Sequence, residues 1–288
     1  MTLLESKFFQ PRPRRDTMAR PRLIGQLNAG LERKLILVLA QAGFGKTTLV
    51  SQWLESLAQA NSAPDPATCT HVAWLSLDEN DNDPLRFFDD LLADLQRADE
   101  TVSRAAREML TAPQPPTNLE PLITSLLNDL IPRQGHLILA LDDYHTISSQ
   151  DVHQAIHYLI SHAPERFHLM LISRVEPALP LTRWRMHREL VEVREHDLRF
   201  TLDEAITYLL ETMNCAISPA DAAALEQRTE GWIVGLHVAA LSLQGHPDAA
   251  AVRKCLSTWN VPISLWFRST TNATGIATIT SLPRCCVS

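Results

Sequence analysis

Residues 35–57 have the pattern of a buried strand, a glycine loop and a helix in direct succession. The run 35–40 is apolar at every position, which is typical of a strand covered on both faces of a parallel sheet. The loop that follows contains Gly43 and Gly45, two of only nine glycines in the 288-residue chain. From Lys46 onward, the spacing of large apolar residues predicts a helix. This order restricts the chain to folds in which a glycine turn joins a parallel strand to a helix.

Strand and helix patterns continue to alternate after this segment. Further apolar runs predict strands at 71–76, 136–141 and 168–173, and helical periodicity predicts helices at 84–97, 102–110, 119–130 and 151–161. This alternation predicts an α/β fold with a mostly parallel sheet flanked by helices. Past residue 193 the pattern changes to short helices that begin at Leu202, Pro219 and Ile233. The first is marked by a capping box between Thr201 and Glu204.

Charge and composition divide the chain further. Residues 1–34 hold eight Lys and Arg residues against three acidic ones, which favours either a solvated surface arm or contact with nucleic acid or nucleotide phosphates. Residues 255–288 contain no Asp or Glu and three of the five cysteines. We therefore predict a basic N-terminal arm at 1–34, an α/β domain at 35–200, a helical domain at 201–250 and an atypical tail at 251–288.

The glycine loop predicts phosphate binding. Converging backbone N–H groups can cradle phosphates only where glycine keeps side chains out of the way, and a helix N-terminus adds attraction for anions. Lys46 is expected to reach the β- and γ-phosphates, and Thr47 to place its hydroxyl on Mg²⁺. The pattern departs from the usual G-x-x-x-x-G-K-[ST] only at its first position, which is Ala40. The sequence thus predicts that the domain at 35–200 is a P-loop NTPase domain, which takes ATP or ADP with Mg²⁺.

Two aspartates and an arginine follow neighbouring strands. Asp142 and Asp143 come at the end of an apolar run, where Asp142 is expected to hold the metal and Asp143 to orient an attacking water. Arg174 closes the next predicted strand and is expected to sense the γ-phosphate. Trp232, after Gly231, is interpreted as a packing residue in preference to a nucleotide contact.

Other functional classes receive less support. The acidic stretch 78–83 resembles the start of a calcium loop, but Asp83 stands where that loop needs glycine. No apolar run approaches the length of a membrane helix, and the N-terminus lacks the pattern of a secretion signal. The cysteines form no C-x-x-C pair, so we expect a reducing cytoplasmic location.

Several motifs, in one order, resemble a known family. The chain resembles the nucleotide-binding module of large, MalT-like regulators of the LuxR family, which belong to the signal-transducing ATPases with numerous domains (STAND). The segments that carry the resemblance, over roughly residues 6–245, are Arg20-Pro-Arg-Leu23, Ala42-Gly-Phe-Gly-Lys-Thr-Thr48, Trp74-Leu-Ser-Leu-Asp-Glu79, Asp81-Asn-Asp-Pro84, Leu141-Asp-Asp-Tyr-His145 and Glu230-Gly-Trp-Ile-Val-Gly-Leu236.

The resemblance implies a switch that is closed with ADP, self-associates with ATP, and is reset by slow hydrolysis. It also implies that Arg20 and Arg22 lie near the nucleotide, that Arg174 is the sensor arginine, and that the helices after Thr201 pack over the nucleotide. The nucleotide-binding positions implied by the loop motif are Ala42, Gly43, Phe44, Gly45, Lys46, Thr47 and Thr48.

The sequence departs from the family beyond about residue 250. Family members continue for several hundred residues through sensor and DNA-binding domains, so we expect no direct DNA binding from this chain, and we interpret the tail as a frameshifted or prematurely terminated reading. Two alternatives remain open. One is a P-loop kinase or transferase acting on a small substrate, and the other is a non-functional truncated remnant.

Overall fold

The computed structural model describes residues 5–12, 17–60, 69–113 and 118–244. The predicted tail at 251–288 and most of the predicted loop at 60–68 lie outside the described residues. Within the described ranges, the chain forms two compact units. The first takes residues in 1–12, 21–39 and 46–194, and the second takes residues in 13–20, 40–45 and 195–288. The domain boundaries at 34, 200 and 250 stay predictions.

The first unit is built on a five-stranded sheet in the order β2-β3-β4-β1-β5, and every neighbouring pair is parallel. The strands are β1 Leu35–Leu39, β2 Thr70–Ser76, β3 His136–Asp142, β4 Phe167–Ser173 and β5 Leu190–Arg194. The helices of this unit are α1 Pro21–Asn28, α2 Lys46–Ala60, α3 Pro84–Ala98, α4 Arg104–Leu110, α5 Glu120–Leu130, α6 Gln150–His162 and α7 Leu181–Met186. The predicted α/β fold with a parallel sheet flanked by helices is confirmed.

Burial explains which strands the sequence reveals. β4 is buried at every position, and β1 and β3 are buried at all but one position, so their sequences are continuous apolar runs. β5 is an edge strand and is mostly half-buried. Its sequence carries Glu192 and Arg194 and lacks the continuous apolar run from which a buried strand is predicted.

The second unit is helical in its described part. It contains α8 Glu195–Leu198, α9 Leu202–Thr207 followed by a π-helical turn Tyr208–Thr212, α10 Pro219–Thr229 and α11 Ile233–Gln244. The three helices predicted to begin at Leu202, Pro219 and Ile233 are present. The predicted capping box is also present, because the Glu204 N–H donates to Thr201 Oγ1 and the Thr201 N–H donates to the Glu204 carboxylate.

Strand order determines which residues meet at the carboxyl edge of the sheet. β4 lies between β1 and β3, so the ends of these three strands adjoin. α2 follows β1, Arg174 follows β4, and Asp142 is the last residue of β3. In open α/β sheets ligands bind at this edge. Among the described helices, none is long and apolar enough to cross a membrane.

Candidate functional site

The six residues 40–45 connect β1 to α2. Gly43 and Gly45 have φ angles of +79° and +76°, in the left-handed region that glycine adopts without strain. α2 begins at Lys46, so the N-terminus of this helix lies directly at the end of the loop. The loop therefore has the backbone conformation and the helix N-terminus that an anion site requires.

Gly43 is also constrained by a close neighbour within the second unit. A Cβ atom on Gly43 would lie 3.0 Å from Val234 Cγ2 and 3.2 Å from the Trp232 indole. Phe44 is buried, and its ring centroid lies 6.4 Å from that of Trp232. Trp232 is itself buried and packs against this loop, and the choice between a packing role and a nucleotide contact stays a prediction.

Thr47 and Asp142 form a direct contact between the start of α2 and the end of β3. Thr47 Oγ1 donates to Asp142 Oδ2 at 3.0 Å. Lys46, the first residue of α2, is buried and close enough to Asp142 to favour its ionised form. Thr48, the next residue of α2, is exposed.

The electrostatics of Asp142 suit a cation. Burial, together with the negative charge of Asp143, raises the pKa of Asp142 to about 6, although the Asp143 N–H donates to Asp142 Oδ1 at 2.8 Å. A buried carboxylate next to a hydroxyl offers two hard oxygen ligands and a negative charge that its protein neighbours only partly offset. These groups fit Mg²⁺, which prefers oxygen ligands and binds through one or two carboxylates.

Asp143 and Arg174 lie around the same edge. Asp143 adopts a left-handed conformation with φ +54°, which aspartate tolerates, and its side chain is 48% exposed. Arg174 is half-buried and acts electrostatically on His145, three residues after Asp142. The first unit thus brings Asp142, Asp143 and Arg174 to one edge, together with Lys46.

The structure places Arg20 among residues of the second unit. Its guanidinium donates to the carbonyl oxygens of Leu198 at 2.7 Å and Arg199 at 2.8 Å, and to the Glu204 carboxylate at 2.9 Å. It also lies 4.3 Å from the ring centroid of Phe200. This buried cation fixes the chain where α8 passes into α9. Arg22 is exposed in the first turn of α1, and the nearness of both arginines to a nucleotide stays a prediction.

His145 also lies at this edge, and the sequence motifs predict no role for it. Its side chain is 7% exposed, and its Nδ1 lies 3.7 Å from Asp143 Oδ1. Burial lowers the pKa of His145, and the cations Arg174 and Lys46 lower it further against the opposing effect of Asp143. The one signal in the sequence that could have indicated a role for His145 is its position, three residues after an aspartate at the carboxyl end of a buried strand.

Lys7 shows that the basic N-terminal arm is not uniformly solvated. Its Nζ lies 2.6 Å from Asp81 Oδ1, 3.0 Å from Asp78 Oδ2 and 3.4 Å from Asp90 Oδ2, and the side chain is buried. Asp78 caps a 3-10 turn and Asp83 caps α3, so the acidic stretch serves as helix caps and as the partner of Lys7. Among the described residues, no group of three or more His, Cys, Asp or Glu side chains is arranged to hold a metal ion.

Comparison with known proteins agrees with this geometry. The model of the AAA ATPase domain matches residues 20–172, more than half of the chain. The chain is 32% identical over 245 residues to the serine/threonine-protein kinase PknK of Mycobacterium tuberculosis, covering 85% of this chain and 21% of that protein. It is 31% identical over 250 residues to the HTH-type transcriptional regulator MalT of Yersinia pestis, covering 86% of this chain and 26% of that protein.

The chain spans about a fifth to a quarter of the length of these curated relatives. Among solved structures, a STAND protein with a tetratricopeptide repeat sensor from Pyrococcus horikoshii aligns with a TM-score of 0.56 at 15% identity, over 81% of this chain and 31% of that one. At this identity the likeness shows the fold. The chain therefore belongs to the AAA ATPase domain family, and over most of its own length it is related to the transcriptional regulator MalT.

Proposed function

We propose that this chain is a regulatory switch that binds ATP or ADP together with Mg²⁺ and hydrolyses ATP slowly. The observation that carries the proposal is the contact between Thr47 and Asp142, whose side chains are 3.0 Å apart although 95 residues separate them in sequence. In P-loop nucleotide hydrolases, a threonine or serine that opens the helix and an aspartate that ends a buried strand hold Mg²⁺. Membership of the AAA ATPase domain family supports the same chemistry.

The phosphates would bind to the segment 42–48. The positive φ angles of Gly43 and Gly45 support a loop whose N–H groups face an anion, and the N-terminus of α2 adds to the positive field. The Lys46 ammonium would neutralise charge on the β- and γ-phosphates. Thr48 would contribute the backbone N–H of the first helical turn.

Hydrolysis would use Asp142, Asp143 and Arg174 at the carboxyl edge of the sheet, together with Thr47 at the start of α2. Mg²⁺, when bound to Thr47 and Asp142, would neutralise the charge that develops between the β- and γ-phosphates. Asp143 would accept a hydrogen bond from the attacking water and hold it in line with the γ-phosphate. Arg174 would offset the charge on the γ-phosphate oxygens, for which a planar guanidinium is suited.

The switch itself is proposed from the relationship to MalT-like regulators and STAND proteins. On this proposal the ADP state is at rest, the ATP state self-associates, and slow hydrolysis returns the protein to rest. We expect the module to act in the cytoplasm and not to contact DNA directly. Arg20 and Arg22 are proposed to lie near the bound nucleotide.

Calorimetric titration tests the proposal. ATP and ADP are titrated into nucleotide-free protein in the presence of Mg²⁺, for the wild type and for Lys46→Ala. Lys34→Ala is the matched control, because Lys34 immediately precedes β1 and pairs with Glu189. We expect saturable binding by the wild type and by the control, and binding weakened at least about tenfold in Lys46→Ala, which corresponds to about 1.4 kcal/mol. The proposal is contradicted if the wild type shows no saturable binding, or if Lys46→Ala binds ATP and ADP as tightly as the wild type.

Two further measurements address the alternatives. A kinase or transferase would release ADP faster when its small acceptor substrate is present, whereas the switch would release ADP at a rate independent of such substrates. For a non-functional remnant, we expect thermal unfolding that is not cooperative and a Tm that nucleotide does not raise. A true binder at 100 times its Kd gains about 2.7 kcal/mol of stability.

A further inference from the structure

His145 is a buried polar side chain at the candidate site with an unsatisfied atom. Its Nδ1 has no hydrogen-bond partner among the described residues, although the side chain is only 7% exposed. Leaving a buried polar group unpaired costs about 1–3 kcal/mol. Unsatisfied groups of this kind are uncommon in folded proteins and call for a specific explanation.

The acceptor available to Nδ1 is the Asp143 carboxylate. The distance from Nδ1 to Asp143 Oδ1 is 3.7 Å, so a movement of less than about 1 Å would bring the pair within ordinary hydrogen-bond range. Asp143 is the more mobile partner by position, because its side chain is about half exposed while the imidazole is enclosed. The enclosed His145 imidazole can therefore act as a rigid donor that orients the more exposed Asp143 carboxylate.

The charges around His145 define its role as a donor. Lys46 and Arg174 both lie close enough to disfavour an imidazolium, and Asp143 is the acidic group that opposes them. A neutral imidazole carries one N–H donor, and with the proton on Nδ1 that donor faces Asp143. A neutral His145 then orients the Asp143 carboxylate without adding positive charge beside the phosphates.

We infer that His145 is a positioning residue for hydrolysis: its Nδ1–H donates to Asp143 and fixes the carboxylate in the orientation that holds the attacking water. This inference rests on the proposed function, in which Asp143 orients that water. His145 itself does not touch the nucleotide. Removing the donor should therefore slow hydrolysis and leave nucleotide affinity unchanged, because a misplacement of about 1 Å at a reacting group can reduce the rate on the order of 100-fold.

The test uses variants that differ in where they place a donor. Asparagine can present its amide N–H near the position of Nδ1, glutamine presents it near Nε2, and leucine has no donor. Single-turnover ATP hydrolysis and ATP affinity are measured for His145→Leu, His145→Asn and His145→Gln. His162→Ala serves as the control, because this histidine lies on the exposed end of α6.

We expect hydrolysis to fall about 10- to 100-fold in His145→Leu and His145→Gln, to recover to within about fivefold of the wild type in His145→Asn, and to stay unchanged in the control. ATP affinity should change less than about threefold in all four. In an Asp143→Ala background, His145→Leu should have no further effect on the rate, because the group it positions is gone. A residue with a purely structural role would not show this dependence on Asp143.

The outcomes separate the inference from the proposed function. If the wild type does not bind ATP, both are overturned. If it binds and hydrolyses ATP but His145→Leu does so at the same rate, or asparagine and glutamine behave alike, the inference alone is overturned. Binding without any hydrolysis overturns the inference together with the hydrolytic part of the proposed function, and leaves the proposed nucleotide binding standing. Where His145→Leu does not fold, the comparison of asparagine with glutamine decides.

Discussion

Replacing Asp142 with asparagine is expected to stabilise the protein when nucleotide and metal are absent. The carboxyl is 6% exposed, and burial together with Asp143 raises its pKa from 3.8 to about 6. Asparagine has nearly the same shape and keeps both contacts. Its side-chain oxygen can accept from the Asp143 N–H, and its amide can donate to Thr47 Oγ1. The substitution therefore removes a charge without opening a cavity.

The size of the gain follows from the two pKa values. In the unfolded chain the carboxyl loses its proton near pH 3.8, but in the folded protein it keeps the proton up to about pH 6. Stability therefore falls as the pH rises between these values, and the full penalty of about 3 kcal/mol is present above pH 6. Asparagine carries no such penalty. We expect Asp142→Asn to be more stable than the wild type by about 3 kcal/mol at pH 8 and by about half that at pH 5.

Urea unfolding at pH 5 and pH 8, in EDTA and without nucleotide, measures this difference. Asp151→Asn is the matched control, because Asp151 is exposed in the first turn of α6 and its replacement should change stability by less than about 0.5 kcal/mol. A gain of equal size at both pH values would show that charge burial is not its cause. No gain at pH 8 would refute the reasoning outright. The same variant should lose Mg²⁺-dependent ATP hydrolysis.

Three further substitutions test packing and buried charge, each by urea unfolding at pH 7. Gly231→Ala should destabilise the protein by more than about 2 kcal/mol, because the residue has φ +68° and its Cβ would lie 2.5 Å from the Phe200 carbonyl oxygen. Gly25→Ala, in a helix with nothing within 4 Å of the new Cβ, should instead gain about 0.5–1 kcal/mol, and equal effects of the two would contradict this geometry. Lys7→Met should cost about 3–5 kcal/mol, because it leaves the fully buried Asp81 without the cation that contacts it at 2.6 Å. A loss below about 1 kcal/mol would mean that this ion pair is not buried in solution.

The sequence predicts the parts of the fold in which one local pattern decides the outcome. β1, β3 and β4 are apolar along their length because helices cover both faces of the sheet, and this leaves a continuous run in the sequence. The glycine loop and the capping box at Thr201 are equally local. Thr47 and Asp142 are distant in sequence, but parallel strands end at one edge, so their residue types already suggest that they meet.

The features that the sequence does not reveal depend on contacts that only the folded chain makes. β5 contains Glu192 and Arg194, which would mark a solvent-exposed segment. In the structure both belong to a network of ion pairs with Glu176 and Arg185 at the edge of the sheet. Charged residues in an edge strand are stabilised by such cross-connections, and no local periodicity records them.

Lys7 and His145 illustrate the same limit for side chains. Lys7 belongs to a basic stretch that favours a solvated arm, and only the three aspartates that surround it in the folded chain make it a buried ion. His145 follows a recognisable aspartate pair, but the sequence does not show that its Nδ1 is buried facing Asp143. Burial and the direction of a donor are tertiary properties.

The dependence of ATP affinity on Mg²⁺ tests the proposed site most directly. The Kd for ATP is measured by calorimetry in excess Mg²⁺ and in EDTA, for the wild type and for Asp142→Asn. We expect the wild type to bind at least about tenfold more tightly with Mg²⁺, a gain of about 1.4 kcal/mol, and the variant to lose most of that gain. Absence of saturable ATP binding by the wild type, or an equal effect of Mg²⁺ on both proteins, would contradict the assignment of Thr47 and Asp142 as the metal site.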